Sequence, residues 1–115
     1  MIKISEEIVS FLELQSGFTD IMGYALYPIA VVEGQVFPFT TYRIVEEVPM
    51  SKDAKGATVQ LSFYFGPNEY KKAASFVDVM QEIIETKSNY EWESKTVDFL
   101  EDAFSFVGII NLKIN

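Results

Sequence analysis

The sequence predicts an α+β domain in which helices pack on one face of a largely antiparallel sheet. Three observations predict it. Between Ala57 and Phe65, apolar Ala57, Val59, Leu61, Phe63 and Phe65 alternate with polar Thr58, Gln60 and Ser62. Side chains alternate across a strand, so one face of this run is dry and the other mostly wet. From about Asn68 to Glu85, Tyr70, Ala73, Phe76, Val77, Met80, Ile83 and Ile84 recur every three or four residues, forming a single helical stripe. Two further strand-like runs, Tyr90–Phe99 and one beginning at Phe104, close the chain. A one-faced sheet and a one-striped helix must bury against something, and each is the other's nearest candidate.

The element order follows as helix, extended segment, β-hairpin, helix, β-hairpin, or α-β-β-β-α-β-β. Ser5 is placed to cap a first helix from Glu6 to Ser16, with Ile4 and Val9 as a hydrophobic staple and Glu6 and Glu7 at the positive end of the dipole. Ile8, Phe11 and Leu12 mark its buried side, and Gly17 supplies a left-handed stop. Phe18 to Gly23 reads as one short helical turn. The segment starting near Leu26-Tyr27-Pro28 reads as an edge strand, because proline cannot donate in mid-sheet. Glu33-Gly34-Gln35 is a turn, and Phe37-Pro38 leads into the hairpin Phe39–Val48 and Ala57–Phe65. In its first strand Tyr42, Ile44 and Val48 share one face, while Phe39, Arg43, Val45 and Glu47 share the other. The connection Pro49–Gly56 is long for a hairpin and carries two lysines, which marks it as a surface feature. Gly66-Pro67-Asn68 ends the second strand and offers Asn68 as the cap of the long helix. Tyr90–Phe99 changes phase, which a bulge near Ser94-Lys95 would reconcile. Glu101-Asp102 marks the next turn. In the last run, Phe104, Phe106, Ile110, Leu112 and Ile114 lie on one side, and Gly108 interrupts them where a large neighbour needs room.

All 115 residues read as one domain, long enough to bury roughly two-thirds of its unfolded surface without staples. The stretch MIKISEEIVSFLEL lacks the apolar run of a signal peptide, and nothing approaches the roughly 18 apolar residues of a membrane span. The net charge is −8, with Arg43 the only arginine and the lysines spread along the chain. Proteins that grip nucleic acid cluster their cations, so tight or specific nucleic-acid binding is not expected.

Catalytic chemistry finds little to work with. With no histidine and no cysteine, the commonest general base, imidazole metal sites and thiol nucleophiles are all missing. The glycines form no phosphate loop. Glu46-Glu47, Glu91/Glu93 and Glu101-Asp102 remain, but adjacent strand carboxylates point to opposite faces, and only Glu91 and Glu93 share one. The expectation is no enzyme, no cofactor and no metal. Tyr64 stands out as an aromatic on the otherwise polar face of the best strand, where it meets a partner or a cross-strand neighbour.

A short first helix, then Tyr27-Pro28, Phe37-Pro38-Phe39-Thr40-Thr41-Tyr42, a polar loop, the alternating strand Thr58–Phe65 and the helix from Asn68 occur in that order over Ile8–Glu85. In this the sequence resembles the small tail-completion, or tail-terminator, proteins of long-tailed bacteriophages. The resemblance implies a virion structural protein assembled in the host cytoplasm. It would form a homo-oligomeric ring on the head-proximal end of the tail, contacting the tail tube protein and the head–tail connector or neck protein. It carries no catalytic residues over. The residues expected at such contacts are Lys52, Asp53 and Lys55 of the loop, with Arg43 and Tyr64. The alternative is a small α+β module holding a ligand or peptide against its sheet.

Overall fold

A computed structural model describes residues 2–23, 26–28, 36–49 and 55–114. The elements run α1 (Ile2–Glu13), α2 (Ser16–Met22), β1 (Leu26–Pro28), β2 (Phe39–Pro49), β3 (Lys55–Phe65), α3 (Tyr70–Lys87), β4 (Glu91–Leu100) and β5 (Ser105–Ile114). The five strands form one sheet in the order β1-β2-β3-β5-β4. Every pairing is antiparallel except β1 with β2, which is parallel. The α+β class and the one-sided helical layer stand as the sequence predicts.

The best-patterned strand is the central one, because its dry side chains have most to gain from neighbours on both sides. Val59, Leu61 and Phe63 are completely buried. They share one core with Phe76, Val77, Met80 and Ile84 of α3, Ile8 and Leu12 of α1, and Phe18 of α2. The Phe63 and Phe76 rings meet edge-on at 4.9 Å, and Phe18 leans on both at 6.5 and 6.2 Å. All three helices therefore cover the same face.

Gly108 of β5 is where α3 comes closest to the sheet. A Cβ built there would run into Val77 Cγ1, which confirms the need for room inferred from the sequence. The phase change in β4 is also reconciled by a slip, between Trp92 and Ser94, one or two residues earlier than expected. As a result Trp92, Val97 and Phe99 all take register positions on the helix side, opposite Leu112, Gly108 and Phe106.

Several boundaries differ from expectation. Ser5 lies inside α1 instead of capping it, since the helix already runs from Ile2. The chain turns at Leu14-Gln15, where these amides bond to the Phe11 and Leu12 carbonyls. It then starts a second helix that contains Gly17. Gly17 lies where α2 approaches α3: a Cβ would sit 2.8 Å from Ile83 Cδ1, so the end of that side chain would have to shift. The left-handed stop is Gly23, at φ 59°. The long helix is capped at Glu69, not Asn68. The Gly66 N–H donates to Glu69 Oε1 at 2.9 Å, holding the turn that launches α3.

β2 carries a slip that its sequence did not announce, between Ile44 and Glu46. Beyond it Glu46 stands opposite Thr58, Glu47 opposite Ala57 and Val48 opposite Gly56, so the register reverses the predicted faces of Glu47 and Val48. The hairpin strands also pair as far as Pro49 with Lys55, so only residues 50–54 connect them and the connection is shorter than Pro49–Gly56. Finally, Phe104 belongs to the turn before β5 and not to the strand. The turn predicted at Glu33-Gly34-Gln35 lies outside the described residues.

Candidate interaction surfaces

The sheet's second face carries the wet positions of β3 and their partners, and no described helix lies on it. Gln60 stands between Arg43 of β2 and Asn111 of β5. Its Nε2 donates to Asn111 Oδ1 at 3.4 Å, and Asn111 Nδ2 donates to Ser94 Oγ of β4 at 3.0 Å. A polar row thus crosses four strands, from exposed Arg43 to exposed Ser94. Such side-chain ties hold the row in one geometry, which suits a surface that meets a partner.

Four residues along β3, roughly 13 Å at strand rise, the same face becomes aromatic. Tyr64 stacks on Phe39 at 4.7 Å with the rings 14° apart, and Phe37 stacks on Phe39 in turn at 5.7 Å. Tyr64 therefore has its cross-strand neighbour and is half-buried. Arg43 and Tyr64 share a face but sit at different levels of it. Lys55 opens β3 opposite Pro49, at the far end from Tyr64. Lys52 and Asp53 lie outside the described residues. The three described members of the predicted contact set, Arg43, Lys55 and Tyr64, do not converge on one spot.

Sequence reasoning missed two features on the other side of the molecule. The first is an open recess of about 490 Å3 between α2 and the start of α3. Buried Phe65 and Phe76 line it together with Ile21, Pro38 and Val79, and exposed Lys71 and Lys72 stand at its border. Its walls come from residues far apart in sequence, Gly17 and Ile21 of α2 and Phe76 and Val79 of α3. No linear pattern reports that. The second is an aromatic ridge around Phe104, which is 65% exposed. Phe104 leans on Phe99 at 5.8 Å, Phe99 on Phe106 at 4.9 Å, and Phe106 on Tyr70 at 5.5 Å.

The titratable groups describe structural roles. The Lys72 ammonium, 2.8 Å from Glu69 Oε2, and the Gly66 N–H hold the Glu69 carboxyl below its usual range, which keeps the cap ionised. Burial, with the Glu7 carboxylate alongside, pushes the Tyr90 phenol up to about 12, where its ring packs edge-on against Phe11 at 5.2 Å. Of Glu91 and Glu93, predicted to share a face, Glu91 pairs opposite Lys113, whereas Glu93 is the unpaired residue at the β4 slip. Among the described residues no group of three acidic side chains is placed to hold a metal ion, and no helix is long and apolar enough to cross a membrane. No protein-family model matches the chain, and no curated protein matches its sequence.

Proposed function

We propose that this chain is a virion structural protein, a tail terminator that works as a homo-oligomeric ring between the tail tube and the head–tail connector. The observation that carries the reading is the domain's one-sidedness. Its helices gather on one face, and the other presents a polar row across four strands, from Arg43 through Gln60 and Asn111 to Ser94, with side-chain hydrogen bonds joining the last three. A rigid, hydrogen-bonded sheet face with exposed strand edges is what a subunit needs to be seated among neighbours in a fixed orientation. The resemblance over Ile8–Glu85 supplies the particular assembly, and the site residues Lys52, Asp53 and Lys55 remain assigned to contacts with a neighbouring subunit or the tube. The test is assembly without the chain: particles should carry tubes of uncontrolled length that fail to join heads. Normal particles, or a density map that locates the chain away from the tail–neck region, would refute it.

The recess between α2 and α3 favours a second reading, a small ligand- or peptide-binding module. That site lies on the helical side, so it does not hold its occupant against the open sheet face. Saturable, micromolar binding of one peptide or metabolite in the recess, with no trace of self-association, would favour this reading over the ring.

A further inference from the structure

We infer that the aromatic ridge at Phe104 inserts into the α2–α3 recess of a second copy of this chain, making a head-to-tail contact. The inference rests on the ring reading for closure, while the contact itself rests on two features of one chain that complement each other.

The first is Phe104. Its φ is 49°, in the left-handed region that glycine and asparagine occupy cheaply and bulky residues avoid. It closes the turn with its N–H bonded to the Glu101 carbonyl at 3.2 Å. A phenylalanine held there and buried in a core would be explained by packing. This one is 65% exposed, so the fold bears the backbone strain without the burial that would offset it. Exposed Glu101 and Asp102 stand in the same turn, which makes the projection an apolar tip with an acidic collar.

The second is the recess, of about 490 Å3, ample for one aromatic side chain. Its apolar walls include Ile21 and Val79, which are 49% and 41% exposed. Beside it stand Lys71 and Lys72, the only adjacent pair of basic residues in a chain of net charge −8. Lys72 is taken up by Glu69, which leaves Lys71 without an ion-pair partner among the described residues. Asp20 borders the recess from the α2 side, so the basic character belongs to the α3 border alone. An apolar tip with an acidic collar fits an apolar recess with a lysine at that border.

Position decides the type of contact. The tip packs on β4, one edge of the sheet, whereas the recess takes Pro38 and Phe65 from the β2–β3 side. Both lie at the level where Phe65, Phe106 and Phe99 pair across β3, β5 and β4. β2 and β4 are three strand spacings apart, roughly 14 Å. Tip and recess therefore lie on different strands at one level, so a copy docked by its tip still offers its own recess onward. Such a heterologous contact repeats, and it closes into a ring where the rotation permits.

The chain has no cysteine, so engineered thiols report cleanly. Ala103→Cys, exposed beside the intact Phe104, and Ser75→Cys, in the recess wall, are mixed at high protein concentration and oxidised. The expected result is a disulfide dimer joining one variant to the other, and a ladder of higher multimers from the double variant. Lys71→Glu should slow formation of the ladder, and adding Glu101→Lys should restore its rate. Crosslinking no faster than with a control thiol at Lys87→Cys, or only like-with-like 103–103 dimers, would overturn the contact. The ring reading fails separately: a ladder from a chain that particles do not carry at the tail end would leave the contact standing and remove the ring. A tail-end ring whose neighbours meet elsewhere would do the reverse.

Discussion

Adding one methyl group at Gly108 tests how α3 is seated on the sheet. The Cβ of Gly108→Ala would collide with Val77 Cγ1, and Phe63 and the Ala73 carbonyl oxygen close the space at 3.8 and 3.7 Å. Val77 cannot swing aside cheaply, because two heavy substituents on its Cβ make it stiff at χ1. Overpacking of this kind costs about 1–3 kcal/mol. The strand gains back about 0.5–1 kcal/mol on losing an interior glycine. The net expectation is a loss of about 1.5 kcal/mol, a shift of roughly 0.5–1.5 M in the urea midpoint for a slope of about 1–3 kcal/mol/M. Val77→Ala alone removes two buried methyl groups and should cost about 2 kcal/mol. In the double variant the alanine methyl at 108 occupies part of the space that Val77 vacates. The two losses should then fall short of their sum by about 1 kcal/mol or more, as expected of residues in contact. Additivity within about 0.3 kcal/mol would show that helix and strand do not meet at this point.

Thr40 is fully buried on the helix side of β2, opposite Phe63, and its hydroxyl has no hydrogen-bond partner among the described residues. Thr40→Val should therefore raise stability by about 1 kcal/mol in equilibrium unfolding, and a loss of that size would point to an unrecognised acceptor. The folded chain holds the Tyr90 proton more tightly than the unfolded chain, whose phenol titrates at its ordinary value of 10.0. The resulting stabilisation is complete below pH 10 and is lost as pH rises from 10 through about 12, so Tyr90→Phe should flatten the stability profile in that window and leave it unchanged near neutrality. With net charge −8 and one arginine, the protein should show no salt-sensitive affinity for duplex DNA in a titration, and micromolar binding that weakens steeply with salt would contradict this. Phe104→Gly removes left-handed strain worth about 1–2 kcal/mol and an edge-on contact with Phe99 worth about 0.5–1.5 kcal/mol. Stability measured by urea unfolding should thus stay within about 1 kcal/mol of the parent, while crosslinking between thiols at Ala103→Cys and Ser75→Cys falls to the rate of the Lys87→Cys control.

What was legible in the sequence follows one physical rule. β3 and α3 each bury one face continuously, so their periodicities survive from Ala57 to Phe65 and from Ala73 to Ile84, while Tyr70, expected at the start of the helical stripe, is 51% exposed. Gly108 was legible for the same reason, as a gap in an otherwise apolar row. The misses sit where periodicity is interrupted by contacts distant in sequence. Gly17 looks like a helix stop because glycine is common there, yet it lies inside α2 and faces Ile83, sixty-six residues away. The slip between Ile44 and Glu46 exchanges the faces of everything after it, and nothing in RIVEEV distinguishes the bulged order from the regular one. The loop was overestimated because strand pairing continues through Pro49 and Lys55, which are poor strand formers that a neighbouring strand holds in register.

The interaction surfaces were less legible, and Phe104 shows why. Placed two residues before Phe106, it satisfies the alternation of the last strand and so passes for core. Its left-handed backbone and its exposure are properties of the turn, and the turn is fixed by Leu100 pairing with Ser105. Composition had pointed to contacts through charge, at Lys52, Lys55 and Arg43, because nine cations in an acidic chain are conspicuous. Charge alone is a poor anchor: an exposed pair contributes roughly 0–1 kcal/mol, whereas a buried aromatic side chain contributes several times that. In the proposed contact a chain of this charge would gain more by hiding phenylalanine than by pairing lysine. The cations would then serve orientation, with Lys71 beside the recess aligning an incoming acidic collar, and the energy of association would come from the ring at its centre.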